Sequence, residues 1–454
     1  MTEQLEICIL AAGIGSRMQS DKPKVLQTLG GRPLLAYLLD VADEMKAAAI
    51  HVVIGQGADA VKAAFPHRRD INWVLQAERL GTGHAMQQVA SSLADSGRVL
   101  VMLGDCPLIR TSTLQSLVAV DADLSVLTVD MSDPFGYGRI VRDGEQVQQI
   151  VEERDTDDRQ KTIREINTGV MAADIKGIRQ WLTLLDNDNA QEEYLLTDIV
   201  AHANDAGCGV RAHKAVDAIE VTGINTFTQL AGLERGLQMN IVEELMNNGV
   251  QVMDPARLDV RGSIKTGRGV RLDINVILEG DVTLGDNVDI GPNCIIRDST
   301  IGDGTVVRAN SIVEEASVSN ECIIGPFARL RPGAELADEV HIGNFVEVKK
   351  SKIGLRSKAN HLAYLGDAII GQDVNVGAGT ITCNYDGAFK HETNIGDGAF
   401  IGTNASLVAP VSIGAGSTIG AGSTITKDVD SQVLAVGRSK QVTVKNWQRP
   451  IKRN

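Results

Sequence analysis

Residues 395–425 read IGDGAF IGTNAS LVAPVS IGAGST IGAGST I, placing an aliphatic side chain at every sixth position: Ile395, Ile401, Leu407, Ile413, Ile419 and Ile425. Gly follows that position at 396, 402, 414 and 420. An α-helix cannot keep every sixth residue on one face. A triangular coil with six residues per side returns one aliphatic residue to each inner wall. The glycines are expected to permit tight corners, whereas a Gly-rich β-sandwich would show period two and irregular turns instead. The stretch therefore reads as hexapeptide repeats of a parallel β-helix.

Working outward, the same beat begins near residue 264. Ile264, Val270, Val276, Val282 and Val288 form one series, and Leu272, Leu278, Leu284, Ile290 and Ile296 a second, two residues out of phase. Before it, Leu230, Leu233, Leu237, Ile241 and Leu245 recur at helical spacing and predict a connecting helix that ends near Asn247-Asn248-Gly249. From Leu5 to about Thr226 the pattern is α/β. ICILAA (7–12), HVVIG (51–55) and VLVMLG (99–104) are strands of a sheet covered on both faces, and PLLAYLLDVADEM (33–45) and the segment from Gly83 to Val89 are helical. A mostly parallel sheet follows, with ligands at the carboxyl ends of its strands. The expected domains are 1–226, a linker helix 227–249, and 250–454 with a basic tail.

The composition sets limits. With 454 residues and 22% charged side chains the chain exceeds one ordinary core, and more than one domain is required. Basic residues number 44 against 58 acidic, a net charge of −14, which argues against general binding to nucleic acid or anionic membranes. No apolar run approaches the roughly 18 residues of a membrane span, and Cys8, Cys106, Cys208, Cys294, Cys322 and Cys383 show no metal-ligand or CxxC spacing. These features predict a cytoplasmic protein with unpaired thiols, no nucleic-acid partner and no membrane insertion.

Strand ICILAA runs into Gly13-Ile14-Gly15-Ser16-Arg17-Met18, whose glycines let backbone N–H groups approach an anion. The dinucleotide fingerprint needs a third Gly where Met18 stands, and the Walker loop needs Gly-Lys-Ser/Thr, so neither applies. Arg17 and Asp21-Lys22-Pro23-Lys24 add cations suited to a polyphosphate. LAAGIGSRM followed by DKPKVL resembles the signature of sugar-nucleotide pyrophosphorylases, nucleotidyltransferases built on a doubly wound sheet. The resemblance implies nucleotide contacts at Leu10, Ala11, Ala12, Gly13, Lys24, Gln76, Gly81 and Thr82, with Gln76 and Gly81-Thr82-Gly83 in the uracil-reading segment of uridylyl members. It also implies Mg²⁺ on Asp105, in LGDCPL, and on Asn225. Sugar-phosphate contacts would fall on Gly138, Glu152 and Asn167 in turns, and Lys24 and Arg17 would act as catalytic clamps on UTP.

In the repeat half, chemistry is sought where the beat fails. Arg329, Arg331, Glu347, Lys349 and Lys350 concentrate charge, and the period is lost from Gly379 to Asn394, where Thr382 to Gly387 form a polar loop. Between them His361 is the strongest general-base candidate, because an imidazole titrates near neutral pH. The whole chain resembles the family of bacterial bifunctional N-acetylglucosamine-1-phosphate uridylyltransferases and glucosamine-1-phosphate N-acetyltransferases. That resemblance implies a left-handed β-helix and His361 as acetyltransfer base. It puts Arg331, Lys349, Tyr364 and Asn375 on the amino-sugar phosphate, and Ala378, Asn384, Tyr385, Thr403, Ala421 and Arg438 on acetyl-CoA. It also implies a homotrimer through the β-helix, with UTP, glucosamine 1-phosphate, N-acetylglucosamine 1-phosphate and acetyl-CoA as substrates. Thr403 and Ile14 depart from the family pattern, which has Ser and a basic residue there. The basic tail from Gly437, with Arg438, Lys440, Lys445, Arg449, Lys452 and Arg453, suits coenzyme A phosphates. Two other readings compete. One is a β-helix serving only as an oligomerisation scaffold. The other is a zinc hydratase using His341, His361 and His391, whose spacing does not offer the required pair.

Overall fold

The computed structural model describes residues 4–450 and 452. The chain divides into two compact units, Met1–Leu237 and Gln238–Asn454. The division falls inside one helix, Phe227–Asn247. Leu230, Leu233 and Leu237 pack with Met18, Leu29 and Ile224 of the first unit, and Ile241, Val242 and Leu245 join the core of the second.

The first unit is built on a nine-stranded sheet. In chain order its strands are β1 (Leu5–Leu10), β2 (Ala49–Ile54), β3 (Ile71–Leu75), β4 (Arg98–Leu103), β5 (Leu124–Asp130), β6 (Arg139–Asp143), β7 (Gln146–Val151), β8 (Glu165–Asp174) and β9 (Val210–Lys214). The spatial order is β3-β2-β1-β4-β8-β5-β9-β7-β6. Side chains alternate across a strand, and in β1 both sets are apolar apart from buried Glu6, which pairs with His51. Ile7 and Ile9 pack with Leu35 and Leu38 of the helix Leu34–Glu44. Cys8 and Leu10 pack on the other face with Met86 and Val89 of the helix Thr82–Ala90. Helices therefore cover both faces, as the continuous hydrophobic strands require. The strands read from sequence are parallel to one another, but β8 runs antiparallel to both β4 and β5. The sheet is mixed beyond β4. The segment expected as a turn at Asn167-Thr168-Gly169 instead lies inside β8, where the register shifts between Asn167 and Met171. Gly169 adopts φ +81° there. Strand order turns at β1, flanked by β2 and β4, so the chains leaving Leu10 and Leu103 emerge side by side and open a crevice at the carboxyl edge.

The second unit is a parallel β-helix. Ile277 pairs with Ile295, and Ile295 with Ile312, so each coil takes 17 or 18 residues. Ile395, Ile401, Leu407, Ile413, Ile419 and Ile425 are all buried in one continuous core, together with both earlier aliphatic series, Ile264 only partly so. Left-handed backbone recurs in three columns. Asn275, Asn293, Asn310, Phe327, Phe345 and Leu362 form one; Asn287, Glu321, Glu339, Arg356 and Asp373 another; Asp298, Glu315, Lys350 and Asp367 the third. These are the corners of a triangular coil. The glycines after the aliphatic positions serve another purpose than the one read from sequence. A Cβ on Gly396 or Gly402 would lie 2.6 Å from Ala415 N or 2.5 Å from Ala421 N, so they admit the backbone of the next coil. The beat also persists further than expected. Thr382 is buried within the strand Ile381–Cys383, and the insertion begins at Asn384, making Asn375 pair with Phe400, 25 residues on.

Candidate active sites

In the first unit, the crevice beyond β1 and β4 holds two adjoining cavities. One, of about 210 Å³, is lined by every residue expected to bind nucleotide: Leu10, Ala11, Ala12, Gly13, Lys24, Gln76, Gly81 and Thr82. The other, of about 440 Å³, is lined by Arg17, Gly138, Glu152, Asn167 and Asn225. Thr82, Leu103 and Asp105 belong to both, so Asp105 stands where they meet. The Lys24 ammonium is buried, pairs with Asp105 Oδ2, and donates a 2.8 Å hydrogen bond to Asn225 Oδ1. Two oxygen donors from chain segments far apart thus converge on one cationic point, a hard-donor arrangement that suits Mg²⁺ held by one carboxylate and substrate phosphates.

Gln229 and Thr197 carried no expectation. Gln229, on the first turn of the helix Phe227–Asn247, accepts from Asn225 N at 2.7 Å and Thr226 N at 3.0 Å, while its own N–H donates to Thr226 Oγ1 at 3.2 Å. This capping box fixes the segment bearing Asn225, and Thr-x-x-Gln ahead of an apolar helix was a readable signal for it. Thr197 Oγ1 donates to Glu152 Oε1 at 3.2 Å. Burial raises the Glu152 carboxyl above its ordinary value; Thr197 opposes this, and Asp198 and Asp155 add to it. Cys106, beside Asp105, is fully buried, and burial together with the Asp105 charge pushes its thiol far up. It is an inert packing residue.

In the second unit the predicted residues fall into two groups. Backbone hydrogen bonds run up one corner: Leu362 N to Asn344 O at 3.0 Å, Gly379 N to His361 O at 3.3 Å, Asn404 N to Ala378 O and Gly422 N to Thr403 O, both at 2.7 Å. Asn344, His361, Ala378, Thr403 and Ala421 therefore stack in successive coils, and the Arg438 guanidinium donates to Ala421 O. Coil spacing near 4.8 Å puts His361 and Ala421 roughly 14 Å apart along this edge. His361 Nδ1 lies 2.7 Å from Asn344 Oδ1; an amide oxygen only accepts, so Nδ1 carries the proton and Nε2 is left with its lone pair.

The second group occupies the face that follows this corner. Arg331 donates to Glu347 at 2.7 Å. Tyr364 pairs in register with Glu347, and Lys349 with Gly366. Lys390, from the inserted loop, meets Lys349 and, with slight desolvation and the Arg331 charge, holds that ammonium below its ordinary value. Asn384 lies here too, donating to Asp367 at 2.5 Å and Tyr364 at 3.4 Å, away from the Ala378–Thr403–Ala421 edge. Tyr385 is exposed and donates to Gly387 O. Asn375 stands on the preceding face, paired with Lys358. His391 pairs with Asp386 at 2.7 Å, and among the described residues no three His, Cys, Asp or Glu side chains gather as a metal site. Of the tail, Arg438 to Arg449 are described and exposed, and Arg453 lies outside the described residues.

Three family models match the chain: the MobA-like NTP transferase domain over residues 7–160, the GMPPB C-terminal domain over 260–359, and the bacterial transferase hexapeptide (six repeats) over 392–427. Proteins named Bifunctional protein GlmU match along the whole chain. That of Marinobacter nauticus is 52% identical over 451 residues, 99% of each chain. That of Stenotrophomonas maltophilia is 50% identical over 455 residues, all of each chain. That of Acinetobacter baumannii is 52% identical over 448 residues, 98% of each. With a crevice that gathers the nucleotide-contact candidates on one unit, a His361 edge on the other, and half of its residues shared end to end with these proteins, the chain belongs to the GlmU family of bifunctional proteins.

Proposed function

We propose that the second unit acetylates glucosamine 1-phosphate with acetyl-CoA, and that the first then transfers UMP from UTP to N-acetylglucosamine 1-phosphate, releasing UDP-N-acetylglucosamine and pyrophosphate. The observation that carries this reading is the junction at Asp105 of a cavity lined by the phosphate loop and one lined by the sugar candidates.

A sugar-phosphate oxygen attacks the α-phosphorus of UTP and pyrophosphate leaves, so the protein must hold two polyanions in line. Arg17 and Lys24 supply positive charge, and the Ala11–Gly13 backbone cradles phosphate. Asp105 and Asn225 are the residues that would hold Mg²⁺, which when bound neutralises developing phosphate charge. Gly138, Glu152 and Asn167 orient the sugar. A Cβ on Gly138 would crowd Ile150 at 2.9 Å and Glu152 at 3.4 Å, so the missing side chain keeps that end open.

In acetyl transfer the sugar nitrogen bonds to the acetyl carbonyl carbon, the C–S bond breaks and CoA leaves as the thiolate, which is protonated by the proton that His361 has taken from the amine. His361 Nε2 takes the amine proton, with Nδ1–H held by Asn344. Arg331, Lys349 and Lys390 offer cations for the phosphate, with Tyr364, Asn375 and Asn384 around the sugar. Ala378, Thr403 and Ala421 bed an extended acyl carrier that reaches Arg438. Exposed Phe327, Phe345 and Leu362 on one corner, the two rings stacked 5.3 Å apart, favour a homotrimer that covers them. Among the described residues no helix is long and apolar enough to cross a membrane, in keeping with a cytoplasmic enzyme. Incubation with UTP, glucosamine 1-phosphate, acetyl-CoA and Mg²⁺ tests the reading. UDP-N-acetylglucosamine and pyrophosphate are expected, and formation of UDP-glucosamine without CoA release would contradict it.

A further inference from the structure

Gln76 is buried in the nucleotide cavity at the end of β3. Its amide nitrogen lies 3.0 Å from Gly81 O and 3.1 Å from His84 Nδ1. A carbonyl can only accept, so Gly81 O fixes which end of the amide is nitrogen. The second N–H then points at His84 Nδ1, which must be the unprotonated ring nitrogen to accept it. Both amide hydrogens are thereby committed to the protein, and Oε1, with no hydrogen-bond donor among the described residues, is the group left for a ligand. With Nδ1 accepting, the proton sits on His84 Nε2; the amide nitrogen of half-buried Gln88 lies 3.1 Å from it one turn on, and because two donors cannot pair, the Gln88 amide must turn its oxygen to the ring. The ring lies beside Tyr194, centroids 6.4 Å apart, and the Tyr194 backbone is fastened to this segment through Gly83 N and Leu80 O, both at 2.8 Å.

An amide locked to present only an acceptor suits the N3–H of uracil and opposes the bare N3 of cytosine. We infer that His84, which no expectation singled out, is a positioning residue for base selection: it prevents the Gln76 amide from turning over and so sets the preference for a uracil nucleotide. This inference rests on reading the first cavity as a UTP site. A site that pairs with a base N–H rejects the analogue that lacks it, because a buried polar group is then left unpaired.

The test is the ratio of kcat/KM for UTP over CTP in the parent, His84→Ala and His84→Asn, with folding checked by thermal melts. His84→Ala is expected to lower the ratio by about tenfold, the worth of one hydrogen bond. His84→Asn, whose side-chain oxygen can take the place of Nδ1, is expected to restore most of it. UTP and CTP affinities measured by calorimetry should shift in the same sense. A purely structural role would lower both nucleotides alike. A parent with no preference for UTP overturns the nucleotide reading and this inference together. A parent preference that survives undiminished in His84→Ala overturns the inference alone.

Discussion

Asp105 shows how one carboxylate is placed to serve both cavities. It leaves β4 at the crevice, and Lys24 holds it there from the buried side. On the proposed assignment Asp105→Ala removes a metal-holding oxygen and frees Lys24 from its partner, so uridylyl transfer is expected to fall by at least about 10²-fold while acetyl transfer is retained, read in separate assays. His361→Ala is expected to do the reverse, lowering the acetyl-transfer kcat by about 10²–10⁴-fold. Glu152 gives a pH-dependent prediction. Burial raises its pKa in the fold, so its ionised form works against folding. That penalty is absent below the ordinary value of about 4.3 and develops as pH rises through the folded value. Glu152→Gln should therefore melt above the parent at about pH 7.5, and show no such advantage at about pH 4 in calorimetry. Loss of the difference at the higher pH would show that ionised Glu152 is compensated elsewhere. The candidates legible at this scale were Gly13 and Asp105, just beyond the ends of β1 and β4, and Lys24, which opens a short 3₁₀ helix. Asn344, Thr197 and His84 escaped because each acts only through a partner that the fold brings to it.

At the level of elements, the six-residue beat made the β-helix legible because each side of the coil must return one aliphatic residue to the core. The glycines were legible as positions but not as causes: close approach between coils is a relation between residues about 18 apart, and local spacing cannot express it. Gly402→Ala, which would set a Cβ 2.5 Å from Ala421 N, is expected to cost about 1–3 kcal/mol in thermal unfolding and to weaken acetyl-CoA binding at the same edge. The strand β8 escaped for a similar reason. Its antiparallel pairing and the register shift after Asn167 are set by neighbours on both sides, so Asn-Thr-Gly looked like a turn. The capping box at Thr226 and Gln229 was readable but unread. Thr226→Ala should cost about 0.5–2 kcal/mol and should raise the Mg²⁺ concentration needed for half-maximal uridylyl transfer, because it weakens the capping box in which Gln229 holds Asn225 N.

On the scale of the whole chain, two chemistries follow one another on units that share no proposed site residue. Composition made a two-unit chain legible, while the boundary between Leu237 and Gln238 did not show in the sequence because the helix runs through it without a break in periodicity. The phosphate loop and the His361 segment could each be read locally. The Lys349–Lys390 contact could not, since it depends on where the inserted loop folds back. The central claim, two independent transfers on one polypeptide, is tested most directly by mixing two inactive variants. Asp105→Ala and His361→Ala, each folded, are incubated separately and together with UTP, glucosamine 1-phosphate, acetyl-CoA and Mg²⁺. Neither alone should form more than traces of UDP-N-acetylglucosamine, Asp105→Ala should accumulate N-acetylglucosamine 1-phosphate, and the mixture should restore the nucleotide sugar. A mixture as inactive as its components, or loss of both transfers in either variant, would contradict the account.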